Sequence, residues 1–264
     1  MRVMRPAQCS AWTGGAPRAE LPVTPRHRCG DHAAVKALRR FEPVFGDGSS
    51  WQCGSVMNGA GSPVALSELA EWVQVATKRS SLLVAVTAVD GPGGAGKSTF
   101  AARLSEALGG VPIVHTDEFA SWDDPLDWWP RLIEQVLAPL AAGTPARYQP
   151  YNWVTRSLDG WIDVDARHII LEGVSANRLA FSPYVAFAIW IETSREARLA
   201  RGLERDGTEM LEQWNAWMAA EDDYVARESP KGRSDLVISG EPTIAGHSDG
   251  EVLLLRRGRG ASGT

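Results

Sequence analysis

The chain has 264 residues, 44% of them hydrophobic and 22% charged, enough for one large domain with a substantial core or for two small ones. A net charge of −5 gives no general ground for nucleic acid or an anionic membrane as partner, and no run reaches the ~18 apolar residues that a transmembrane helix needs. Three cysteines, Cys9, Cys29 and Cys53, are an odd count at wide spacing, which is no disulfide framework; nothing completes a metal site around His27, Cys29 and His32, so a reducing, cytoplasmic setting fits best.

Residues 1–62 are rich in Pro, Gly, Ser and Arg and lack sustained periodicity, apart from a short helix expected over Asp31–Phe41. Residues 1–56 carry eight Lys/Arg against four acids, +4, and all the cysteines; the remainder has 19 basic and 28 acidic residues, −9. The stretch reads as a disordered or mis-annotated N-terminal extension, with Met57 a candidate natural start; mass spectrometry of the native N-terminus checks this, and peptides from 1–56 would rule it out.

Order begins at Pro63 and defines a domain over 63–240. Leu66, Leu69, Ala70, Val73 and Ala76 predict an amphipathic helix that opens at Ser62-Pro63. The run Leu82–Val89 is a buried strand, Gly91–Gly96 a glycine-rich loop, Lys97–Leu108 a helix and Val111–Thr116 a second strand. A helix over Pro125–Ala142 presents Leu126, Trp129, Leu132, Ile133, Val136 and Leu137 on one face. Strands follow at Arg167–Leu171, Val185–Ile191 and Asp235–Ile238, with helices over Ser194–Arg205 and Met210–Arg227. Residues 241–264 read as a tail holding at most one short strand, Val252–Leu255. Alternating strands and helices predict an α/β fold, a doubly wound parallel five-stranded sheet covered on both faces.

The segment Gly91-Pro-Gly-Gly-Ala-Gly-Lys97-Ser98-Thr99 matches G-x-x-x-x-G-K-[ST] in full, between a predicted strand and a predicted helix. A triphosphate needs many short-range donors with no side chains in the way. Gly91, Gly93, Gly94, Ala95 and Gly96 let successive N–H groups turn inward, and the helix adds its own N-terminal N–H groups and positive dipole end. Lys97 reaches β- and γ-phosphates, Ser98 ligates Mg²⁺, and Thr99 adds a phosphate contact.

Asp117, in His115-Thr-Asp117-Glu118-Phe119 at the end of the second strand, is placed to accept a hydroxyl proton or to hold Mg²⁺ through water. Glu172 ends the third strand, where a second carboxylate of the Mg²⁺ site belongs. Arg198, Arg201 and Arg205 share one helix face, which suits a lid closing on phosphates; the rival reading is a solvated face paired with Glu196 and Glu204. Trp122, Trp128, Trp129, Trp153 and Trp161, with Tyr148 and Tyr151, either stack a flat acceptor or fill the core.

The loop, Asp117-Glu-Phe, Tyr148-x-x-Tyr-Asn-Trp153, Ile170-Leu-Glu172-Gly-Val, Ala176-x-Arg178 and the segment from Arg198 to Asp206 together resemble the uridine kinase family, more closely its bacterial uridine-kinase-like branch of P-loop nucleoside kinases, over about residues 64–240. The resemblance implies a P-loop NTPase fold of the nucleoside kinase kind with a helical lid, and ATP- and Mg²⁺-dependent phosphorylation of a nucleoside 5′-hydroxyl. By that likeness Asp117 is the catalytic base, Ser98 and Glu172 the magnesium site, Arg201 and Arg205 the lid arginines, and Arg178 an acceptor-side contact, to which the stacking reading adds Tyr148 and Tyr151 as candidate substrate residues. Gly207-Thr-Glu-Met210 stands where the family carries a glycine–arginine segment, so a shorter, less basic lid is expected; Asn152 replaces an expected aspartate.

The sequence thus predicts an ATP-dependent small-molecule kinase with a nucleoside-like acceptor, as a soluble protein that acts alone or as a homo-oligomer. The alternatives are an NTP hydrolase and a non-catalytic nucleotide-binding module; the first has no guanine-specificity N-K-x-D motif behind it, and the intact Lys97, Ser98, Asp117 and Glu172 speak against the second.

Overall fold

In the computed structural model, which describes residues 61–121, 126–241 and 250–258, the chain enters at strand β1 (Ser62–Ala65) and turns directly into helix α1 (Leu66–Arg79). These residues all fall in one compact unit, Met57–Thr264. The helix expected over Asp31–Phe41, and Trp122, lie outside the described residues. Pro63 opens a strand rather than a helix because β1 is an edge strand, where a missing N–H is tolerated. Helix α1 buries Leu69, Ala70 and Val73.

Strand β2 (Ala85–Asp90) is buried along its whole length, mostly apolar apart from Thr87 and the closing Asp90, and leads through the glycine loop into α2 (Lys97–Ala107). After β3 (Ile113–His115) comes a helical stretch in three parts: α3 (Trp129–Leu132), a wide π turn over Ile133–Leu137, and α4 (Ala138–Ala141). The sequence predicted one helix here. Pro139 offers no N–H to the Gln135 carbonyl, and its ring would strike that carbonyl; widening the turn lets Ala138 N–H bond Ile133 O instead.

Two small antiparallel pairs that the sequence did not suggest follow, β4 (Ala146–Tyr148) with β7 (Ile162–Val164) and β5 (Tyr151–Asn152) with β6 (Ser157–Leu158). Then come β8 (His168–Glu172), β9 (Val185–Glu192), α5 (Arg195–Asp206), α6 (Leu211–Glu228), α7 (Pro230–Arg233), β10 (Leu236–Ser239) and β11 (Glu251–Arg257).

The main sheet has seven strands in the order β1-β11-β10-β9-β2-β8-β3. The strands from β10 to β3 are parallel, as expected; β11 adds to them antiparallel, and β1 pairs with β11. Residues 251–257, read in the sequence as part of a tail, therefore form a full strand inside the sheet. One face carries Val86, Ala88, Ile169 and Leu171 against Leu132, Val136, Tyr148 and Phe181; the other carries Val89, Ile170 and Ile189 against Leu69, Val73, Phe100 and Leu104. The chain runs from β2 out to β3, returns to β8, then crosses to β9 on the far side of β2. The carboxyl ends of β2 and β8 thus flank the point where the winding reverses, the place where open α/β sheets bind ligands. Among the described residues no helix is long and apolar enough to cross a membrane.

Candidate functional site

The glycine loop sits at that point. Gly94 (φ 74°) and Gly96 (φ 91°) take the left-handed conformation, and Gly96 caps α2, whose first turn carries no acid. Its N–H groups and positive dipole end are therefore uncompensated by any side chain of that turn, while Gly96, Ser98 and Thr99 are exposed. Lys97 is buried, and its Nζ donates to Pro92 O across the loop (3.0 Å).

The loop is gripped from outside. Asp90, fully buried at the end of β2, accepts from the amides of Gly91 (2.7 Å), Ser175 (3.0 Å) and Asn177 (2.9 Å) and from the Tyr224 hydroxyl (2.6 Å). Burial raises its carboxyl above the ordinary aspartate range, and the bonds from Tyr224, Asn177 and Gly91, with the Lys97 charge, pull against that rise. Gly93 N–H donates to Glu221 Oε1 (3.0 Å), Arg201 Nη1 donates to Gly94 O (3.2 Å), and the Thr193 hydroxyl donates to Ala95 O (3.2 Å).

Glu172 ends β8, in register with His115 of neighbouring β3. Its Oε1 accepts from the Ser98 hydroxyl (3.1 Å) and its Oε2 from His115 Nδ1 (2.7 Å). That bond to Glu172 raises the His115 imidazole above its ordinary value, against the opposing effect of burial. Ser98 and Glu172 offer a hydroxyl and a carboxylate oxygen side by side, a hard donor set that fits Mg²⁺. No group of three or more His, Cys, Asp or Glu suited to a metal occurs among the described residues.

Asp117 lies in the short helical turn Thr116–Glu118 just beyond β3. The residue is exposed, yet the protein around its carboxyl strips enough water to raise it above the ordinary aspartate range, and the Glu172 charge raises it further. Lys97, His115 and Arg205 act in the opposite direction. Its backbone carbonyl accepts from Trp153 Nε1 (3.1 Å), and Trp153 meets Tyr151 edge-on (5.1 Å) and Trp217 at a tilt (6.0 Å).

Two of the residues expected on the acceptor side lie in the core instead. Tyr148 is 1% exposed; its hydroxyl donates to Glu118 Oε2 (2.5 Å) and its ring stacks on Phe119. Arg178 is 6% exposed, donates to Leu126 O (2.6 Å) and pairs with Glu228 (3.6 Å). Both side chains are packed in the core rather than standing open on the site. Tyr151 stays half-buried beside Trp153. The arginine face is not paired with Glu196 and Glu204. Arg198 is buried against Glu221 (3.3 Å), Arg201 holds the loop carbonyl, and Arg205 makes a two-pronged bond to Asp206 (2.7 and 2.8 Å). Asp206 raises Arg205, whose charge reaches Asp117.

Asp90, His115 and Glu221 escaped the sequence reading as site residues. Asp90 had a visible signal, an acid closing an otherwise apolar buried strand. Glu221 had a fainter one, an acid on the same helical face as Trp214, Met218 and Tyr224.

Strand, glycine loop and helix at the switch point of this sheet define a P-loop α/β protein. No protein-family model matches the chain, and no curated protein does. Among solved structures it is similar to a possible uridine kinase from Bacillus stearothermophilus (21% identity, TM-score 0.46, covering 64% of this chain and 98% of that one). It is also similar to a candidate fructose transport system kinase from Silicibacter (16%, 0.49, 62% and 95%) and to D-glycerate 3-kinase from Cryptococcus neoformans (11%, 0.47, 69% and 97%).

Proposed function

We propose that this chain transfers the γ-phosphoryl group of ATP to a hydroxyl of a small acceptor, with a uridine-like nucleoside as the first acceptor to try. The observation that carries the reading is the Ser98–Glu172 hydrogen bond, which ties the phosphate loop to a second carboxylate beside Asp117. Loop amides and Lys97 would hold the β- and γ-phosphates. Ser98 and Glu172 would hold Mg²⁺, which when bound neutralises charge between the two phosphates. Asp117 takes the proton of the acceptor hydroxyl as its oxygen attacks the γ-phosphorus in line; the bond to the bridging oxygen breaks and ADP leaves. Arg201 and Arg205 are the donors on α5 for the charge on the transferring group. Trp153, which bonds the Asp117 carbonyl, and Tyr151 edge-on to it are the aromatic surfaces for an acceptor to lie against.

The test is ADP release with Mg-ATP across nucleosides, vitamins and sugars, with Lys97→Ala and Asp117→Asn as controls. One acceptor that raises turnover well above background, with both variants inactive, supports the proposal and names the substrate. Phosphate release independent of every acceptor makes the protein a hydrolase; ATP binding without release makes it a binding module.

A further inference from the structure

One buried acid has no part in that chemistry. Glu221 is 2% exposed in the middle of α6, and its carboxylate touches the phosphate-binding loop itself, through Gly93 N–H (3.0 Å). Its second oxygen faces Arg198 Nη1 (3.3 Å), and Lys97 lies within electrostatic reach. The placement is built in from both helices. Trp214, seven residues before Glu221 on α6, lies so close to Gly202 of α5 that a Cβ there would come within 2.4 Å of its ring, while a Cβ on Gly93 would lie 2.8 Å from Glu221 Oε1 itself; Tyr224, three residues after Glu221, bonds Asp90. The Arg198 backbone backs directly onto Gly94, where a Cβ would lie 2.7 Å from Arg198 O.

A loop whose amides, lysine and helix end all attract anions thus contains an anion of its own. Bonding Gly93 N–H does not need it, since an amide oxygen would accept equally well. What the charge alone adds is cancellation of Arg198 and a negative potential beside Lys97. Resting on the nucleotide-binding reading above, we propose that Glu221 sets nucleotide affinity: its carboxylate opposes the phosphates' charge, lowers their affinity and so speeds release of the spent nucleotide. Charges in so buried a place are weakly screened, so the opposition grows with the number of phosphate charges.

The experiment is calorimetric titration of Mg-ATP, Mg-ADP, AMP and adenosine into the full chain and into Glu221→Gln, with melting temperatures alongside. Glutamine keeps the Gly93 bond and removes the charge, which also leaves Arg198 uncancelled. The expected result is Mg-ATP binding tighter by about tenfold, Mg-ADP by less, and adenosine unchanged. Binding that stays the same or weakens in a variant with wild-type melting overturns the proposal and leaves Glu221 a packing contact. Should the single variant not fold, Arg198→Gln with Glu221→Gln leaves no unpaired buried charge. Its Mg-ATP affinity is then expected within about threefold of wild type, and a loss beyond about tenfold overturns the proposal. A wild-type chain that binds no Mg-ATP, like Lys97→Ala, refutes the nucleotide reading itself, an outcome distinct from wild-type binding that Glu221→Gln leaves untouched.

Discussion

Gly173 leaves no room for a side-chain carbon opposite Thr116. A Cβ built on Gly173 would overlap the Thr116 hydroxyl and lie 2.8 Å from its Cβ, and Gly173 takes φ 142°, a conformation that other residues rarely adopt. Gly173 follows Glu172, and buried Thr116 precedes Asp117, so this contact sets the spacing between the two carboxylates. Gly173→Ala has to push the Thr116–Asp117 turn outward while leaving the glycine loop in place. The expected outcome is a kcat lower by about tenfold to a hundredfold with the Mg-ATP Kd changed less than about threefold. Turnover and calorimetric titration on the same preparation check it; loss of nucleotide binding in step with kcat would sink the idea.

Asp117 carries opposite expectations for activity and stability. In the proposed reaction Asp117 is the base and works only when ionised, and its carboxyl is raised by desolvation first and by Glu172 second. Turnover therefore rises with pH through a midpoint above the ordinary aspartate value, and Asp117→Asn loses about a hundredfold to ten-thousandfold in kcat. For stability the sign runs the other way. A carboxyl raised in the folded state binds its proton more tightly there than in the unfolded chain, so its favourable share is present at low pH and is lost as pH rises through the raised value. At neutral pH Asp117 is a liability, and Asp117→Asn should melt higher than wild type, with the gap closing in acid. A lower melting temperature at neutral pH would contradict the assignment.

The sequence disclosed the loop, the parallel strands and the acids at their ends because these obey local rules: a largely apolar run for β2, glycines at Gly94 and Gly96 for positive φ, an acid closing an apolar strand. It did not disclose partners that only tertiary packing brings together. Glu221 lies 128 residues from Gly93 and Tyr224 lies 134 residues from Asp90, separations at which no spacing rule operates. Tyr148 and Arg178 show the converse. Their residue types suit a ligand, but burial among Phe119, Glu118, Leu126 and Glu228 is set by how β4 and the turn after β8 pack, which composition does not reveal. Pro139 was visible all along, yet its effect, a widened turn rather than a broken helix, depends on the core beneath Leu132, Val136 and Leu140 holding both halves in place.

His115 is expected to act through Glu172. Its Nδ1–H holds Oε2 and thereby aims Oε1 at Ser98. Outer bonds of this kind tune a metal-binding carboxylate, and their removal costs affinity by about tenfold to a hundredfold. His115→Ala should raise the free Mg²⁺ needed for half-maximal turnover by about tenfold while saturating Mg²⁺ restores much of kcat. Chelation with EDTA should stop transfer in both proteins. A magnesium titration at fixed ATP decides it, because a merely structural loss would lower the plateau without moving the midpoint.

Asp90 ties two segments, the turn after β8 and helix α6, to the start of the loop, and its two oxygens take four donors. Tyr224→Phe removes one donor to a charged acceptor and should cost about 1.5–3 kcal/mol. Asp90→Asn costs more, because an amide presents one acceptor oxygen and turns its NH₂ toward groups that themselves donate, leaving buried amides unpaired. Urea melts should therefore rank wild type above Tyr224→Phe above Asp90→Asn. The same ranking is expected in Mg-ATP affinity, since Gly91 N–H and the α6 face that carries Glu221 are fixed through this one carboxylate. If Asp90→Asn lost stability but bound Mg-ATP as tightly as wild type, the hub would be a fold element alone, and the shape of the glycine loop would be set by Glu221, Arg201 and Thr193 without it.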